Sequence, residues 1–259
     1  MTLPAVLITG GATRLGAEMA RGFADEGWHI VIHYNSSSAT AEKLAASLPS
    51  AETIRCDLAD DDAAAAMIEG LADKLPNWHC LINSASVFNH DSATNFDPET
   101  NRQAMQVNAL APARMTQAFF AHAVSAKGRC VIQITDMKIE NPNPDFFSYT
   151  MSKHALASTI KMLAKAPVEE GDRIYGLAPG AILESHDQSE EETEISHRLN
   201  LLKRKTDARE IVDAALFLAT GSLRSGETLF IDSGQHLLDQ DRDVIWLARE
   251  KARARRADA

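Results

Sequence analysis

Residues 5–34 read AVLITGGATRLGAEMARGFADEGWHIVIHY, and this stretch decides the fold class. It opens on a short apolar run, AVLIT (5–9), turns through adjacent glycines, continues as an amphipathic stretch over about 14–26, and closes on a second apolar run, HIVIHY (29–34). Neither run alternates polar with apolar residues, as a strand buried on both faces requires. Strand, helix and strand in about 30 residues is a parallel crossover unit.

The same rhythm continues along the chain. TIRC (53–56), CLIN (80–83), CVIQIT (130–135), IYGLA (174–178) and TLFID (228–232) read as further strands. Helical patterns at about 39–48, 60–74, 100–125, 148–166 and 207–220 lie between them. Right-handed crossovers then build one α/β doubly wound, Rossmann-type domain over residues 1–259, with a seven-stranded parallel sheet. Two segments break the pattern. Residues 179–206 are long, polar and acidic, which predicts a lid or substrate loop, or disorder. The tail at about 239–259 has an apolar start and an Arg-rich end, and reads as a solvated, fraying terminal helix or as a tail for nucleic acid or a partner.

Composition narrows the function classes. The chain has 259 residues, 45% hydrophobic and 24% charged, with a formal net charge of -10. That balance is ordinary for a soluble protein and argues against a non-specific nucleic-acid binder. The three cysteines, Cys56, Cys80 and Cys130, are widely spaced in or beside apolar runs, so they read as buried inert thiols. The start lacks a basic leader, and no apolar run nears the ~20 residues that span a bilayer, so a cytoplasmic location without a membrane partner is expected. The nine histidines show no metal spacing, and no metal is expected.

The turn LITGGATRLG (7–16) places Gly10 and Gly16 between the first strand and the first helix. Glycine lets the backbone turn sharply and approach a ligand, and a helix N-terminus favours phosphate. Arg14 stands at that N-terminus, where a cation is electrostatically misplaced unless an anion or a ring system meets it. A surface Arg is the alternative. After the second strand, HYNSSS (33–38) lacks the acid that binds a ribose 2′-hydroxyl in NAD enzymes. Asn35, Ser36 and Ser37 can instead bind a 2′-phosphate with Arg14 supplying charge, which points to NADPH, or they can simply cap the next helix.

These motifs, in this order, resemble the short-chain dehydrogenase/reductase family nearly end to end. TGGATRLG (9–16) is similar to its TGxxxGxG turn, with Arg14 in place of the middle glycine. CDL (56–58) matches the adenine-binding acid at Asp57, and NSAS (83–86) stands where the family has NNAG, with Ser84 departing from it. VNALAP (107–112) carries Asn108, YTMSK (149–153) is YxxxK, and APG (178–180) follows the sixth strand. The resemblance implies that Gly10, Thr13, Arg14, Leu15, Gly16, His33, Tyr34, Asn35, Ser36, Asp57, Leu58, Asn83, Ala85, Tyr149, Lys153, Pro179, Gly180 and Ile182 hold NADPH. It implies a catalytic set of Asp136, Tyr149, Lys153 and Asn108. In that set Lys153 holds the nicotinamide ribose and Asn108 holds a water linking Lys153 to solvent. It also implies a homotetramer.

Where the family has a catalytic Ser, this chain has Asp136. With Arg14, HYNSS and Phe88, that substitution resembles pteridine reductases and bacterial dihydromonapterin reductases. Such a resemblance implies a pterin-like small molecule bound by Arg14, Ser86, Phe88, Asp136, Tyr149 and Leu183. A carboxyl group suits a nitrogen heterocycle: it accepts from amino groups and can help protonate a ring nitrogen during C=N reduction, whereas a structural N-cap is its plain alternative. Phe146, Phe147, Met151 and the acidic run Glu190–Glu192 are further candidates for the site and its lid. Tyr149 and Lys153 lie one helical turn apart on one face, and a nearby ammonium is expected to lower the phenol's pKa. Two other readings remain: a carbonyl reductase of another small molecule, and a non-catalytic NADPH-binding sensor.

Overall fold

The computed structural model describes residues 2–166, 169–184 and 187–257. Seven parallel strands form one sheet: β1 (Ala5–Ile8), β2 (His29–Tyr34), β3 (Ala51–Arg55), β4 (Trp78–Asn83), β5 (Cys130–Ile134), β6 (Arg173–Pro179) and β7 (Thr228–Ile231). Their order is β3-β2-β1-β4-β5-β6-β7, the doubly wound arrangement expected. The chain winds outward from β1 in both directions, so a crevice opens between the carboxyl ends of β1 and β4.

Residues of each central strand alternate between two cores. Val6, Ile8, Ile30, Ile32 and Ile132 face α1 (Arg14–Asp25) and α8 (Ala208–Thr220), whereas Leu7, Val31, Leu81 and Val131 face α3 (Asp61–Ala72) and α5 (Ala111–His122). This two-sided burial is why the strands read as unbroken apolar runs. The three cysteines are free and buried, and burial pushes the Cys80 thiol well above its ordinary value.

The remaining helices are α2 (Ser38–Ser47), α4 (Pro98–Met105), α6 (Phe147–Leu163), α7 (Glu190–Ser196) and α9 (Val244–Ala257). Three of them differ from expectation. The stretch expected as one helix over 100–125 is α4 and α5 joined by a π-helical turn, Gln106–Leu110. The loop 179–206 contains α7, opened by a capping box between Ser189 and Glu192; its positions 185–186 lie outside the described residues. The C-terminal tail is not a solvated helix: Ala248 and Ala252 of α9 are buried against Ile195 and Leu199. Two of its arginines are engaged within the chain, Arg249 with Asp187 and Glu192 and Arg256 with Glu191, whereas Lys251, Arg253 and Arg255 are exposed. The last two positions of the tail lie outside the described residues. Among the described residues no helix is long and apolar enough to cross a membrane, and no cluster of His, Cys, Asp and Glu could hold a metal ion.

Candidate active site

Every strand from β1 to β6 ends at one groove. A cavity of about 580 Å³ is lined by Gly10, Thr13, Arg14, Leu15 and Gly16 after β1, by Ala85, Ser86 and Phe88 after β4, by Asp136 after β5, and by Pro179, Gly180, Ile182 and Leu183 after β6. Tyr149 and Lys153 reach it from α6. A second cavity of about 380 Å³ adjoins it at Gly10, Thr13, Ala85 and Ser86 and runs past His33, Tyr34, Asn35 and Ser36 to Asp57 and Leu58. Together they make an elongated slot across the switch point.

The glycine turn is built for close approach. Gly10 has φ 64°, and a Cβ on Gly16 would lie 2.3 Å from the Gly10 carbonyl oxygen. Thr13 precedes α1 without capping it through its side chain, and the first turn holds no acid. The helix N–H groups are therefore free for an anion, which fits a dinucleotide's phosphates. His33 fixes the turn from below: Gly10 N–H donates to its Nδ1 at 3.1 Å, and its Nε2 lies 3.1 Å from the Cys56 carbonyl oxygen. Burial pulls its pKa down to about 4, against a smaller upward pull from the Cys56 carbonyl, so the ring is neutral and bridges β1, β2 and β3. Thr9, which the sequence reading missed, accepts from the Ser84 and Ala85 N–H groups and ties the β4 loop to this turn.

Several expectations for the groove change. Arg14 lines the first cavity and its Nη1 donates to the Glu184 carbonyl oxygen at 3.0 Å, so it stands apart from Asn35, Ser36 and Ser37, which line the second. The cation near those residues is Arg55, whose Nε donates to the Asn35 carbonyl oxygen. It sits at the end of an edge strand, where an exposed Arg carries no sequence signal. Ser37 makes no capping hydrogen bond through its side chain, which removes the purely structural account of the Ser-rich turn. Asn83 does not line either cavity. It is buried, and its Nδ2 donates to Gln133 Oε1 at 3.0 Å.

At the floor of the larger cavity, the Tyr149 hydroxyl donates to Asp136 Oδ2 at 2.7 Å, and Asp136 Oδ1 accepts from the Lys138 N–H at 2.9 Å. Lys153 Nζ donates to the Ile134 carbonyl oxygen at 2.8 Å and lies 5.5 Å from the Tyr149 ring centroid. Burial raises the Asp136 pKa despite its hydrogen bonds and the two nearby lysines. Burial also brings Lys153 down to about 8, partly opposed by Asp136. The expected depression of Tyr149 is overturned: burial first, then the Asp136 carboxylate, push its pKa well above the ordinary phenol value. Burial sets the direction, and the Asp136 carboxylate, which touches the hydroxyl where Lys153 does not, adds to it. Tyr149 holds its proton.

Asn108 sits in the π-helical turn. Its Oδ1 accepts from the Val87 N–H, and its Nδ2 donates to the Val87 carbonyl and to Ser152 Oγ. It therefore braces the loop that carries Ser86 and Phe88, and among the described residues it makes no direct hydrogen bond to Lys153. Phe88 stacks on Phe146 at 4.0 Å and meets Tyr149 edge-on at 4.6 Å. Phe147 and Met151 do not line the cavity; Phe147 packs on Phe96, and Met151 is exposed. Glu191 and Glu192 pair with α9 rather than entering the site. Sequence reasoning also missed His197 and Gln235. Both are buried in the cavity wall, and each keeps a nitrogen, Nε2, without a hydrogen-bond partner among the described residues.

Comparison with known proteins bears on this geometry. The family model described as Enoyl-(Acyl carrier protein) reductase matches residues 10–236. Short-chain dehydrogenase reductase 5 of Arabidopsis thaliana is 31% identical over 245 residues, covering 88% of this chain and 93% of that protein. Pteridine reductase 1 of Leishmania tarentolae is 24% identical over 281 residues, covering 91% of this chain and 97% of its own. The crystal structure of FolM Alternative dihydrofolate reductase 1 from Brucella suis in complex with NADP superposes with a TM-score of 0.85 at 27% identity, covering 92% of this chain and 97% of that one.

Proposed function

We propose, from the fact that this chain belongs to the short-chain dehydrogenase/reductase family, that it is an NADPH-dependent reductase acting on the C=N bond of a dihydropterin-type substrate. The observation that carries the substrate class is the 2.7 Å hydrogen bond from the Tyr149 hydroxyl to Asp136, in a cavity that Phe88 and Arg14 also line. The NADP complex of the Brucella suis relative and the pteridine reductase among the sequence relatives support the same reading.

NADPH bound along the slot supplies the hydride that reduces the C=N carbon. Gly10, Gly16 and the N–H groups of α1 would hold its phosphates. Asn35, Ser36 and Arg55 would face the adenosine end, where no acid stands at the end of β2 to repel a 2′-phosphate. Lys153 would hold the ribose next to the nicotinamide, with its ammonium charged at neutral pH.

The protein's own groups handle the proton. Reduction of C=N leaves negative charge on nitrogen, and that nitrogen must be protonated. Tyr149 suits the task because it keeps its proton at neutral pH. Asp136 orients the hydroxyl and would accept hydrogen bonds from amino and ring N–H groups of the substrate. As the proton leaves Tyr149, the nearby Lys153 ammonium stabilises the phenolate. A serine at position 136 could orient a carbonyl oxygen, but it would bring no charge to meet an amino group. General acid–base catalysis of this kind contributes roughly 10²–10⁴-fold.

The test is NADPH oxidation by the purified protein with 7,8-dihydromonapterin, 7,8-dihydrobiopterin and dihydrofolate, beside a ketone panel. Turnover of a dihydropterin is expected, with kcat/KM falling at least about 100-fold in both Asp136→Ser and Tyr149→Phe. Tight NADPH binding without dihydropterin turnover refutes the substrate class, and reduction of the ketones instead would make the protein a carbonyl reductase.

A further inference from the structure

The match to the family model ends at residue 236, yet Asp243, Val244 and Ile245 line the catalytic cavity. What holds this segment there is Lys138, two residues after Asp136. Its Nζ lies 2.7 Å from Asp243 Oδ2, and both side chains are buried. It also donates to Asn143 Oδ1 at 2.9 Å and to the Asp145 carbonyl oxygen at 3.5 Å. The ammonium's three protons are therefore all engaged, which leaves none for a substrate. A second tie lies beside it: Asp145 accepts from Arg242 through both carboxylate oxygens and from the Asp243 N–H. Asp243 in turn accepts from the Ile245 N–H at 3.0 Å, and Ile245 packs on Phe88, Phe146 and Tyr149.

We propose that the Lys138–Asp243 pair is a latch that makes the C-terminal segment part of the substrate site, with Ile245 as the wall facing the substrate and Lys138 as a positioning residue for Asp136. The proposal rests on the reductase reading of this cavity. A buried ion pair adds little net stability over a well-packed apolar pair, because both charges must be desolvated. What it adds is direction. The same lysine donates its backbone N–H to the catalytic carboxylate and its ammonium to the segment that closes over the substrate, so the two surfaces keep a fixed relation.

The electrostatics agree with this placement. Asp136 is faced by Tyr149 and Lys153 from α6 and by Lys138 from its own turn, and both lysines favour its ionised form. Asp243 faces Tyr149 from the C-terminal segment and opposes the phenolate. Arg242 is spent on Asp145.

The decisive protein is the double variant Lys138→Met/Asp243→Leu, which removes both charges and leaves two apolar side chains. A single substitution would strand a buried charge and confound stability with function. The substrate is whichever dihydropterin or carbonyl compound the unaltered protein reduces, so failure of the dihydropterin reading changes the substrate and not the comparison. We expect NADPH Kd to stay within about twofold, since the latch touches the substrate end only, while substrate KM rises about tenfold. The acid limb of the kcat profile should move to higher pH, because Asp136 loses a cation. Ile245→Ala, which leaves the latch intact, should raise KM about tenfold with little change in kcat. A folded double variant with unchanged KM and unchanged acid limb overturns the latch. If the double variant does not fold, Ile245→Ala decides, and an unchanged KM there overturns the wall.

Discussion

Lys153→Met should change the pH dependence of stability in a way that can be worked out in advance. Lys153 Nζ is buried, with the Ile134 carbonyl as its one hydrogen-bond acceptor within the described residues and no carboxylate in contact. Its pKa falls from 10.5 to about 8, chiefly through burial. At about 1.4 kcal/mol per unit, holding the ammonium in the folded chain costs about 3 kcal/mol at neutral pH. Between the folded and unfolded values the unfolded chain binds more protons, so stability climbs as pH rises. The contribution is complete above 10.5 and is lost as pH falls to about 8. Methionine has no such dependence. It also leaves the Ile134 carbonyl unpaired, a penalty of roughly 1–3 kcal/mol that does not vary with pH. Subtraction removes that penalty. The unfolding free energy of wild type minus that of the variant should therefore rise by about 2–3 kcal/mol from pH 7 to pH 10. Urea unfolding followed by circular dichroism on the apoprotein measures it, at one protein concentration so that assembly does not enter. A difference that stays flat across that range would show that Lys153 is not a buried charge held at a cost.

Two further outcomes follow from the same charges. In the free enzyme kcat/KM should decline as pH rises through about 8, where Lys153 loses its proton, and Asp136→Asn should move that limb to lower pH because Asp136 supports the ammonium; a limb indifferent to Asp136 would separate the two groups. His33→Phe leaves the Gly10 N–H without its acceptor, a cost of about 1–3 kcal/mol that should weaken NADPH binding at least about tenfold in a fluorescence titration, and unchanged affinity would mean the turn does not depend on the ring.

Much of this was legible in the chain because burial writes itself locally. Strands covered on both faces leave apolar runs, and all seven are found within a few residues of where those runs lie. The glycine turn and YxxxK are short motifs whose spacing survives folding. The failures share a physical cause, which is that distant segments decide the outcome. Spacing put Lys153 on the face of Tyr149 but could not show that burial, with Asp136 against the hydroxyl, pushes the phenol the other way. Asn35 and Arg14 flank one crossover, yet they end in different cavities. The acidic run Glu190–Glu192 read as a source of lid contacts and the Arg-rich tail as a solvated helix or a partner tail, and the structure pairs Glu191 and Glu192 with two of the tail's arginines. The capping box at Ser189 and the spacing of Val244, Ile245, Ala248 and Ala252 were readable signals of α7 and α9 that went unused.

Four described non-glycine residues are left-handed, Arg14, Phe146, Lys203 and Ser233, and the first two stand beside the site. Arg14 at φ 51° and Phe146 at φ 53° are left-handed without being glycine, and they stand at the entrances of α1 and α6. Each such residue costs roughly 1–2 kcal/mol, more for a bulky aromatic. Both are held by partners outside their helices. Arg14 donates to Glu184 across the groove, and Asp91 receives the Phe146 N–H, the Ser148 N–H and the Ser148 hydroxyl at the start of α6. Glycine would relieve the strain at either position and would remove what the site uses. At position 14 that is a guanidinium in the cavity wall, and at position 146 it is the ring that backs Phe88 beside Tyr149. At positions 14 and 146 the side chain that glycine would remove is therefore a reason for the chain to keep the strain, held at Arg14 by the contact with Glu184 and at Phe146 by the hydrogen bonds to Asp91.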